Sequence, residues 1–291
     1  MESQLDTETA LAASTSPVAT YEVRGGGGLR LHAREWGNPE GPELLFIHGW
    51  SQCDLCWTTQ VGGELASRFR IVTFDLRGHG LSEQPQDPGN YTDDRLWADD
   101  VAAVIEQTGL EHPVVVAWSY GGFVVADYVR AYGDRALAGV NLVGGAIILK
   151  PPGFDHIGPG FLENAGDASA SDLATNIGAI RRFLRACTVE ELAQEEWTAA
   201  VCWNMVVPPA VRGALISREV DGTAAIAALS VPVLVSHGRE DAIVSPSMAE
   251  HVLSTCASGV PSWYDDVGHM PFWEATERFD RELADFAERC S

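Results

Sequence analysis

Short apolar segments alternate along this chain with segments in which apolar residues recur at helical spacing. The apolar segments lack the strict polar–apolar alternation of a strand that has one solvent-facing side. Strands buried on both faces and separated by helices are typical of a parallel sheet covered by helices on each side. The sequence therefore predicts an α/β fold built on a mostly parallel sheet.

The first two predicted strands flank a run of glycines at 25–28, a pattern that favours a β-hairpin. Beyond the hairpin, strands and helices alternate. The predicted strands are 20–24, 29–36, 44–48, 71–75, 113–118, 140–143, 231–237 and 262–264, and the helices between or after them are 57–69, 93–107, 123–132 and 272–289.

One segment interrupts this alternation, because after residue 150 no strand pattern appears until residue 231 and helical stretches occur at 173–187 and 189–205. Open α/β sheets bind ligands at the carboxyl ends of their strands, so a helical insertion is most simply a cap over that edge. A helical elaboration remote from the site is the alternative. The predicted division is a mobile N-terminal tail (1–19), an α/β core (20–150 and 222–291) and a helical cap (151–221).

Acidic side chains far outnumber basic ones, with 41 Asp and Glu against 19 Lys and Arg and a formal charge of −22. Nucleic acids and anionic membranes attract cationic surfaces, so we expect neither as a partner. No apolar run approaches the roughly 20 residues of a bilayer helix. The N-terminus also lacks the basic and apolar regions of a secretory signal. We therefore expect a cytoplasmic protein whose six cysteines stay reduced.

The most informative motif is the sequence VVVAWSYGG at 114–122, in which a buried strand leads through Ser119 into a helix. Two residues to either side of the serine stand small residues, Ala117 and Gly121. A nucleophile on a sharp strand-to-helix turn needs strained backbone angles, and larger flanking side chains would collide there. The motif usually has Gly two residues before the serine. Ala117 stands at that position here, and its side chain is small enough to avoid the same collision. An ordinary strand-to-helix turn that contains a serine is the alternative.

Two later segments supply partners for Ser119. Asp241 follows a predicted strand in the sequence HGRED, and His269 follows the last strand in DDVGHMPF. Strand ends of one sheet converge, so a serine, a carboxylate and an imidazole in this order can form a catalytic triad. In this interpretation His269 accepts the serine proton and Asp241 orients the imidazole. Other candidates for the acid or the base lie nearby in sequence, and we interpret them as structural or solvent-facing: Glu240, Asp265, Asp266 and His237.

Acyl transfer also requires hydrogen-bond donors for the oxyanion. The predicted donors are the backbone N–H groups of Trp50, in the loop after a strand, and Tyr120, directly after the nucleophile. His48 and His79 lie in neighbouring loops, and we interpret both as structural.

Together these residues identify the chain as similar to the α/β-hydrolase superfamily, in the branch that contains serine carboxylesterases, cofactor-free haloperoxidases (perhydrolases) and epoxide-hydrolase-like proteins. The segments that carry the resemblance are His48-Gly49-Trp50, Asp75 to Gly80, the Ser119 turn, Gly238 to Asp241 and Gly268-His269. The resemblance is specific for the fold and poorly specific for the substrate.

The resemblance implies a serine hydrolase that cleaves an ester, thioester or lactone through an acyl-enzyme, with a small-molecule substrate and no cofactor or metal. Relatives with a carboxylate nucleophile are disfavoured by Ser119, and epoxide hydrolases also by the lack of tyrosine in 151–221. A hydroxynitrile lyase is disfavoured because Lys150 is the only lysine. Perhydrolase or haloperoxidase activity, C–C bond hydrolysis and a small-molecule receptor remain as alternatives, and a homo-oligomer is left open.

The resemblance also places a substrate pocket among apolar residues near the triad, suited to a small or medium acyl group. Packing within the core or the cap is the alternative for each of them. The residues predicted to line this pocket are Trp118, Ile243, Val244, Met270 and Phe272, with Trp197 and Trp203 closing it from the cap. Cys53 and Cys56 have Cys-x-x-Cys spacing without further metal ligands, so we interpret them as structural.

Overall fold

The computed structural model describes residues 16–151 and 153–290. The strands are β1 (Ala19–Arg24), β2 (Arg30–Gly37), β3 (Glu43–Ile47), β4 (Arg70–Phe74), β5 (Val114–Trp118), β6 (Gly139–Val143), β7 (Ile148–Leu149), β8 (Val220–Asp221), β9 (Val233–Gly238) and β10 (Gly259–Tyr264). The α-helices are α1 (Thr58–Gly62), α2 (Glu64–Arg68), α3 (Gly89–Thr92), α4 (Asp94–Thr108), α5 (Gly121–Tyr132), α6 (Pro159–Leu162), α7 (Ala165–Ala168), α8 (Leu173–Ala186), α9 (Gln194–Val206), α10 (Pro209–Ile216), α11 (Thr223–Ala227), α12 (Pro246–Thr255), α13 (Pro271–Glu274) and α14 (Thr276–Cys290).

The main sheet has the strand order β1-β2-β4-β3-β5-β6-β9-β10. Strand β2 pairs antiparallel with β1 and β4, and all other neighbours pair parallel. Every residue of β5 and β6 is buried, as expected for strands covered by helices on both faces. The predicted α/β fold with a mostly parallel sheet is thus confirmed.

The chain leaves β3 to form β4 on one side and later β5 on the other, so the strand order reverses at β3. At such a reversal the loops after adjacent strands separate and open a crevice at the carboxyl edge of the sheet. The loops that follow β3 and β5 carry Trp50 and Ser119, two of the predicted site residues.

Two long helices expected from the sequence are each broken in the structure. The predicted helix 57–69 divides at Gly63, whose backbone is extended, into α1 and α2. The predicted helix 272–289 divides at Ala275, between α13 and α14. Apolar spacing continues across both breaks, which is why the periodicity did not indicate them.

The segment predicted as a cap contains a short 3-10 helix (Gly153–His156) and helices α6 to α10. Strands β7 and β8 pair antiparallel where the chain enters and leaves this segment, a ladder too short for a sequence pattern to indicate. Most of the tail predicted at 1–19 lies outside the described residues, and its last residue, Ala19, begins β1. No single helix of the described chain is long and apolar enough to cross a membrane, whereas α9 and α10 pass that test only as a pair bent by 82°.

Candidate active site

Ser119 lies on the sharp turn between β5 and α5 with a backbone φ of 55°, a left-handed conformation that is rare outside glycine. Three backbone hydrogen bonds hold this conformation. The Ser119 N–H donates to the Val143 carbonyl (3.0 Å), and the Ser119 carbonyl accepts from the N–H groups of Gly122 (2.9 Å) and Ala146 (3.0 Å). These three hydrogen bonds therefore hold the strained turn in place, as is usual for strained turns at functional sites.

The glycines after Ser119 are required by close packing. A Cβ on Gly121 would lie 2.9 Å from the Ile47 carbonyl oxygen, and one on Gly122 would lie 2.5 Å from that of Ala146. Both distances are shorter than a Cβ contact allows. The small residues of the motif thus let the turn approach the ends of β3 and β6.

Asp241 and His269 are in direct contact. The His269 Nδ1–H donates to Asp241 Oδ2 at 2.7 Å, and the other carboxylate oxygen accepts from the N–H groups of Ile243 (2.8 Å) and Val244 (2.9 Å). Burial raises the pKa of Asp241, but His269, His237 and the backbone N–H of Val244 together lower it more, so the pKa lies below its usual range. Asp241 is therefore ionised at neutral pH and fixes the His269 proton on Nδ1.

The other imidazole nitrogen of His269, Nε2, is unpaired among the residues that the structure describes. Within residues 16–151 and 153–290, the buried Nε2 of His269 has no hydrogen-bond partner, Ser119 included. The Trp118 indole N–H donates to the His269 carbonyl (3.0 Å), which fixes the backbone that carries the ring. Hydrogen bonds between nucleophile and base are often loose in the free enzyme and tighten with substrate.

The rival residues make other contacts. His237 Nε2–H donates to the Val244 carbonyl at 2.9 Å and lies 3.3 Å from Asp241 Oδ2, and burial lowers its pKa. Glu240 is exposed, and Asp265 forms a surface ion pair with Arg239 at 2.7 Å. His237 thus helps to hold the Asp241 loop, while the two acids face away from it.

Two backbone N–H groups close to Ser119 have no acceptor among the described residues. They belong to Trp50 and Tyr120, both of which are buried and line one cavity together with Ser119. Buried N–H groups without an acceptor are rare in folded proteins. These two could therefore bind an oxygen atom of a ligand.

Two buried histidines brace the loop that carries Trp50. His48 Nε2 accepts from the Leu76 N–H at 3.0 Å while its Nδ1–H donates to the Gly49 carbonyl, and His79 Nε2 accepts from the Ser51 N–H at 3.2 Å. Burial lowers the pKa of His48 well below its usual value and that of His79 to about 4. Both rings are neutral at pH 7, which supports a structural role.

Tyr120 is anchored by Arg218, a residue that sequence reasoning did not single out. The guanidinium donates to the Tyr120 hydroxyl at 3.1 Å and forms ion pairs with Asp94 at 2.7 Å and Asp127 at 2.5 Å. No motif surrounds Arg218 in the sequence, so only the fold identifies it.

A cavity lies next to Ser119, and the space without protein atoms there, open solvent included, is about 340 Å³. Apart from the hydroxyls of Ser119 and Tyr120 and the indole N–H of Trp50, its lining side chains are apolar. Ile243 and Val244, two of the residues predicted to line a substrate pocket, lie on its wall. The full lining is Trp50, Ser119, Tyr120, Phe123, Ala146, Leu149, Ile157, Phe161, Ile216, Ile243 and Val244.

The other residues predicted to line a substrate pocket are not among the residues that line this cavity, and their assignment to a pocket stays a prediction. Trp118 and Phe272 pack against each other in the core, with ring centres 5.0 Å apart, and Met270 is buried. In the segment predicted as a cap, the Trp203 indole N–H donates to Gln52 Oε1, and Trp197 lies under the Arg185 guanidinium.

Only one cluster of the described residues has the geometry of a metal site, formed by Cys53, Asp54 and Asp75. The Asp75 carboxylate already accepts from the N–H groups of Asp54 (2.9 Å) and Leu81 (2.8 Å). The Arg34 guanidinium lies 3.3 Å from Asp54 and supplies the positive charge. Burial raises the pKa of the Cys53 thiol well above its usual value, which disfavours a thiolate ligand. The cluster therefore supports the loop rather than an ion.

Known proteins resemble this chain over most of its length. Residues 44–282 match the family model described as alpha/beta hydrolase family. A bifunctional esterase/perhydrolase from Acinetobacter calcoaceticus is 30% identical over 230 residues, 75% of this chain and 80% of that protein. A non-heme haloperoxidase from Rhodococcus erythropolis is 30% identical over 274 residues, 90% of this chain and 97% of that protein. The crystal structure of an esterase from Rhodococcus sp. ECU1013 superposes with a TM-score of 0.89 at 32% identity, covering 94% of this chain and 99% of that one.

Proposed function

Since this chain belongs to the alpha/beta hydrolase family, we propose that it is a serine hydrolase that cleaves carboxylic esters of small to medium apolar acids. One observation carries this proposal. Ser119, held at positive φ, shares an apolar cavity with two buried backbone N–H groups that lack an acceptor among the described residues. Acyl transfer requires at least a nucleophile and hydrogen-bond donors for the oxyanion, and this cavity offers candidates for both.

In the proposed mechanism the Ser119 oxygen attacks the ester carbonyl while its proton passes to His269 Nε2. The charged carbonyl oxygen accepts hydrogen bonds from the Trp50 and Tyr120 N–H groups. His269 then protonates the departing alcohol, which leaves an acyl group on Ser119. A water molecule, deprotonated by His269, releases the acid and restores the serine. Asp241 holds the imidazole in the tautomer that these transfers require.

The cavity favours an uncharged acyl group, because no charged side chain is among its lining residues. Burying a carboxylate or ammonium there would cost solvation without an ionic partner. The aromatic rings of Phe161 and Phe183 pack edge-on against Trp50 at 5.2 and 5.1 Å, so the cap limits the size of the acyl group. Thioesters and lactones with similar acyl groups are further candidate substrates.

Perhydrolysis is the second candidate function, because a relative at 30% identity is a bifunctional esterase/perhydrolase. Here hydrogen peroxide replaces water in the second half-reaction and attacks the acyl-enzyme, giving a peracid and free Ser119. Peracid formation compared with acetate release in an acetate ester and peroxide mixture would separate the two functions. Hydrolysis without any peracid would exclude this candidate.

The proposal is tested with p-nitrophenyl esters from acetate to longer chains on wild type and Ser119→Ala. We expect the wild type to hydrolyse these esters and Ser119→Ala to do so at least about a thousandfold more slowly, because removal of a nucleophilic serine causes losses of this order or larger. Ser254→Ala, which alters an exposed serine on α12, is the matched control and should keep wild-type rates. Undiminished turnover in folded Ser119→Ala would refute the proposal.

A further inference from the structure

Three arginines of the described chain are almost completely buried, and two of them have carboxylate partners. Arg77 pairs with Asp100 through two hydrogen bonds of 2.7 Å. Arg218 pairs with Asp127, as described above. The third, Arg212, is fully buried and forms no ion pair with any residue that the structure describes. A buried cation normally has a counter-ion, because removing it from water is costly.

The hydrogen bonds of Arg212 are also incomplete. Its Nη2 donates to Asn176 Oδ1 at 3.1 Å, whereas Nε and Nη1 have no acceptor within residues 16–151 and 153–290. Asn176 is fixed, since its amide nitrogen donates to the carbonyls of Ala168 (2.8 Å) and Ala170 (3.1 Å). Burial lowers the pKa of Arg212 to about 10, so the side chain remains charged at neutral pH. The N–H bonds on Nε and Nη1 therefore present positive charge without an acceptor.

Arg212 lies on α10 beside the oxyanion loop but outside the substrate cavity. Its carbonyl accepts the indole N–H of Trp50 at 3.2 Å, and Trp50 lines the cavity whereas Arg212 does not. The positive charge of Arg212 also contributes to the lowered pKa of His79, whose Nε2 accepts a hydrogen bond from the Ser51 N–H. Ser51 Oγ, in the same loop, is another buried polar atom without a partner among the described residues.

We propose that Arg212 is the centre of a buried site for a small monovalent anion such as chloride or bromide. One negative charge neutralises the guanidinium and accepts its unpaired N–H groups. A monovalent halide is less costly to dehydrate than a divalent anion. A free ion fits this position better than a charged substrate group, because Trp50 and not Arg212 faces the cavity. Through the Arg212 carbonyl the bound anion steadies the indole of Trp50, whose backbone N–H is a proposed oxyanion donor.

The test measures thermal unfolding of wild type and Arg212→Met while sodium chloride replaces sodium gluconate at constant ionic strength. A ligand that binds only the folded state raises the melting temperature, by roughly 5 °C at a hundred times its Kd. We expect a saturating rise in wild type and a much smaller one in Arg212→Met. In gluconate alone the variant should melt at or above the wild-type temperature, because an uncompensated buried charge has been removed.

Arg182→Met is the matched control, since Arg182 lies in the same cap on α8 but is exposed and pairs with Asp167. It should retain the wild-type chloride response. Equal chloride responses in wild type and Arg212→Met would overturn the proposal. So would an Arg212→Met variant that ignores chloride but loses activity only on monoesters of dicarboxylic acids, because the anion would then belong to the substrate.

Should Arg212→Met fail to fold, a crystal of the wild-type protein grown in sodium bromide provides an independent test. Anomalous scattering locates bromide directly. A peak within hydrogen-bonding distance of Arg212 Nε or Nη1 supports the site, and an ordered structure without such a peak overturns it.

Discussion

Replacing Asp241 with asparagine changes one atom of the site in a way that the structure makes predictable. Asp241 Oδ1 accepts two backbone N–H groups, from Ile243 and Val244, and these bonds should hold the asparagine carbonyl in the same place. The amide NH₂ would then replace Oδ2, which lies 2.7 Å from His269 Nδ1. Two donors cannot face each other, so the imidazole proton should move to Nε2.

A proton on Nε2 prevents His269 from accepting the proton of Ser119. The same substitution in a serine protease triad lowers kcat about 10⁴-fold, equivalent to roughly 5 kcal/mol of activation free energy. We expect a loss of that order in kcat for p-nitrophenyl acetate, with little change in KM and an unchanged circular dichroism spectrum. Asp265→Asn makes the same chemical change in an exposed ion pair and should leave kcat intact. A loss below tenfold in folded Asp241→Asn would refute the assigned role.

Three further predictions concern stability and specificity. Arg218→Met leaves the buried carboxyl of Asp127 without its main partner and should lower the free energy of unfolding by about 3–5 kcal/mol in urea titrations. Burial lowers the pKa of His79 to about 4, below its value near 6.5 in the unfolded chain. As the pH falls from 6.5 to 4, the unfolded state is protonated at His79 and the folded state is not, so the free energy of unfolding should fall by up to about 3 kcal/mol. His79→Gln should show a shallower loss over that pH range, and an identical slope would contradict the assignment. Ile216→Ala should enlarge the cavity and raise kcat/KM for hexanoate relative to acetate by about tenfold, whereas an unchanged ratio would place the acyl group elsewhere.

The sheet and the three candidate triad residues could be predicted because their signals are local. The run VVVAWSYGG combines a buried strand with small residues around Ser119, and the structure places that serine at φ 55° between β5 and α5. Asp241 and His269 follow β9 and β10, so strand convergence alone predicts their proximity. The roles of these residues in catalysis stay predictions until the variants are measured.

Apart from Ile243 and Val244, the cavity wall could not be predicted, because it depends on how distant segments pack. Phe161 and Ile216 come from the segment predicted as a cap and line the cavity, yet neither belongs to a motif. Trp118 adjoins Ser119 in sequence, but its ring packs in the core against Trp57 and Phe272. The partners of buried arginines also come from distant parts of the sequence. Arg218 contacts carboxylates more than 90 positions away, and no carboxylate of the described residues pairs with Arg212.

The central claim is that Ser119 carries a covalent acyl group during turnover. The most direct measurement is intact-mass spectrometry of enzyme quenched in acid during hydrolysis of a slow p-nitrophenyl ester, followed by peptide mapping. We expect a mass increase equal to the acyl group, located on Ser119 and missing in Ser119→Ala. Turnover without an adduct in the pre-steady state, together with no labelling of Ser119 by a fluorophosphonate, would contradict it.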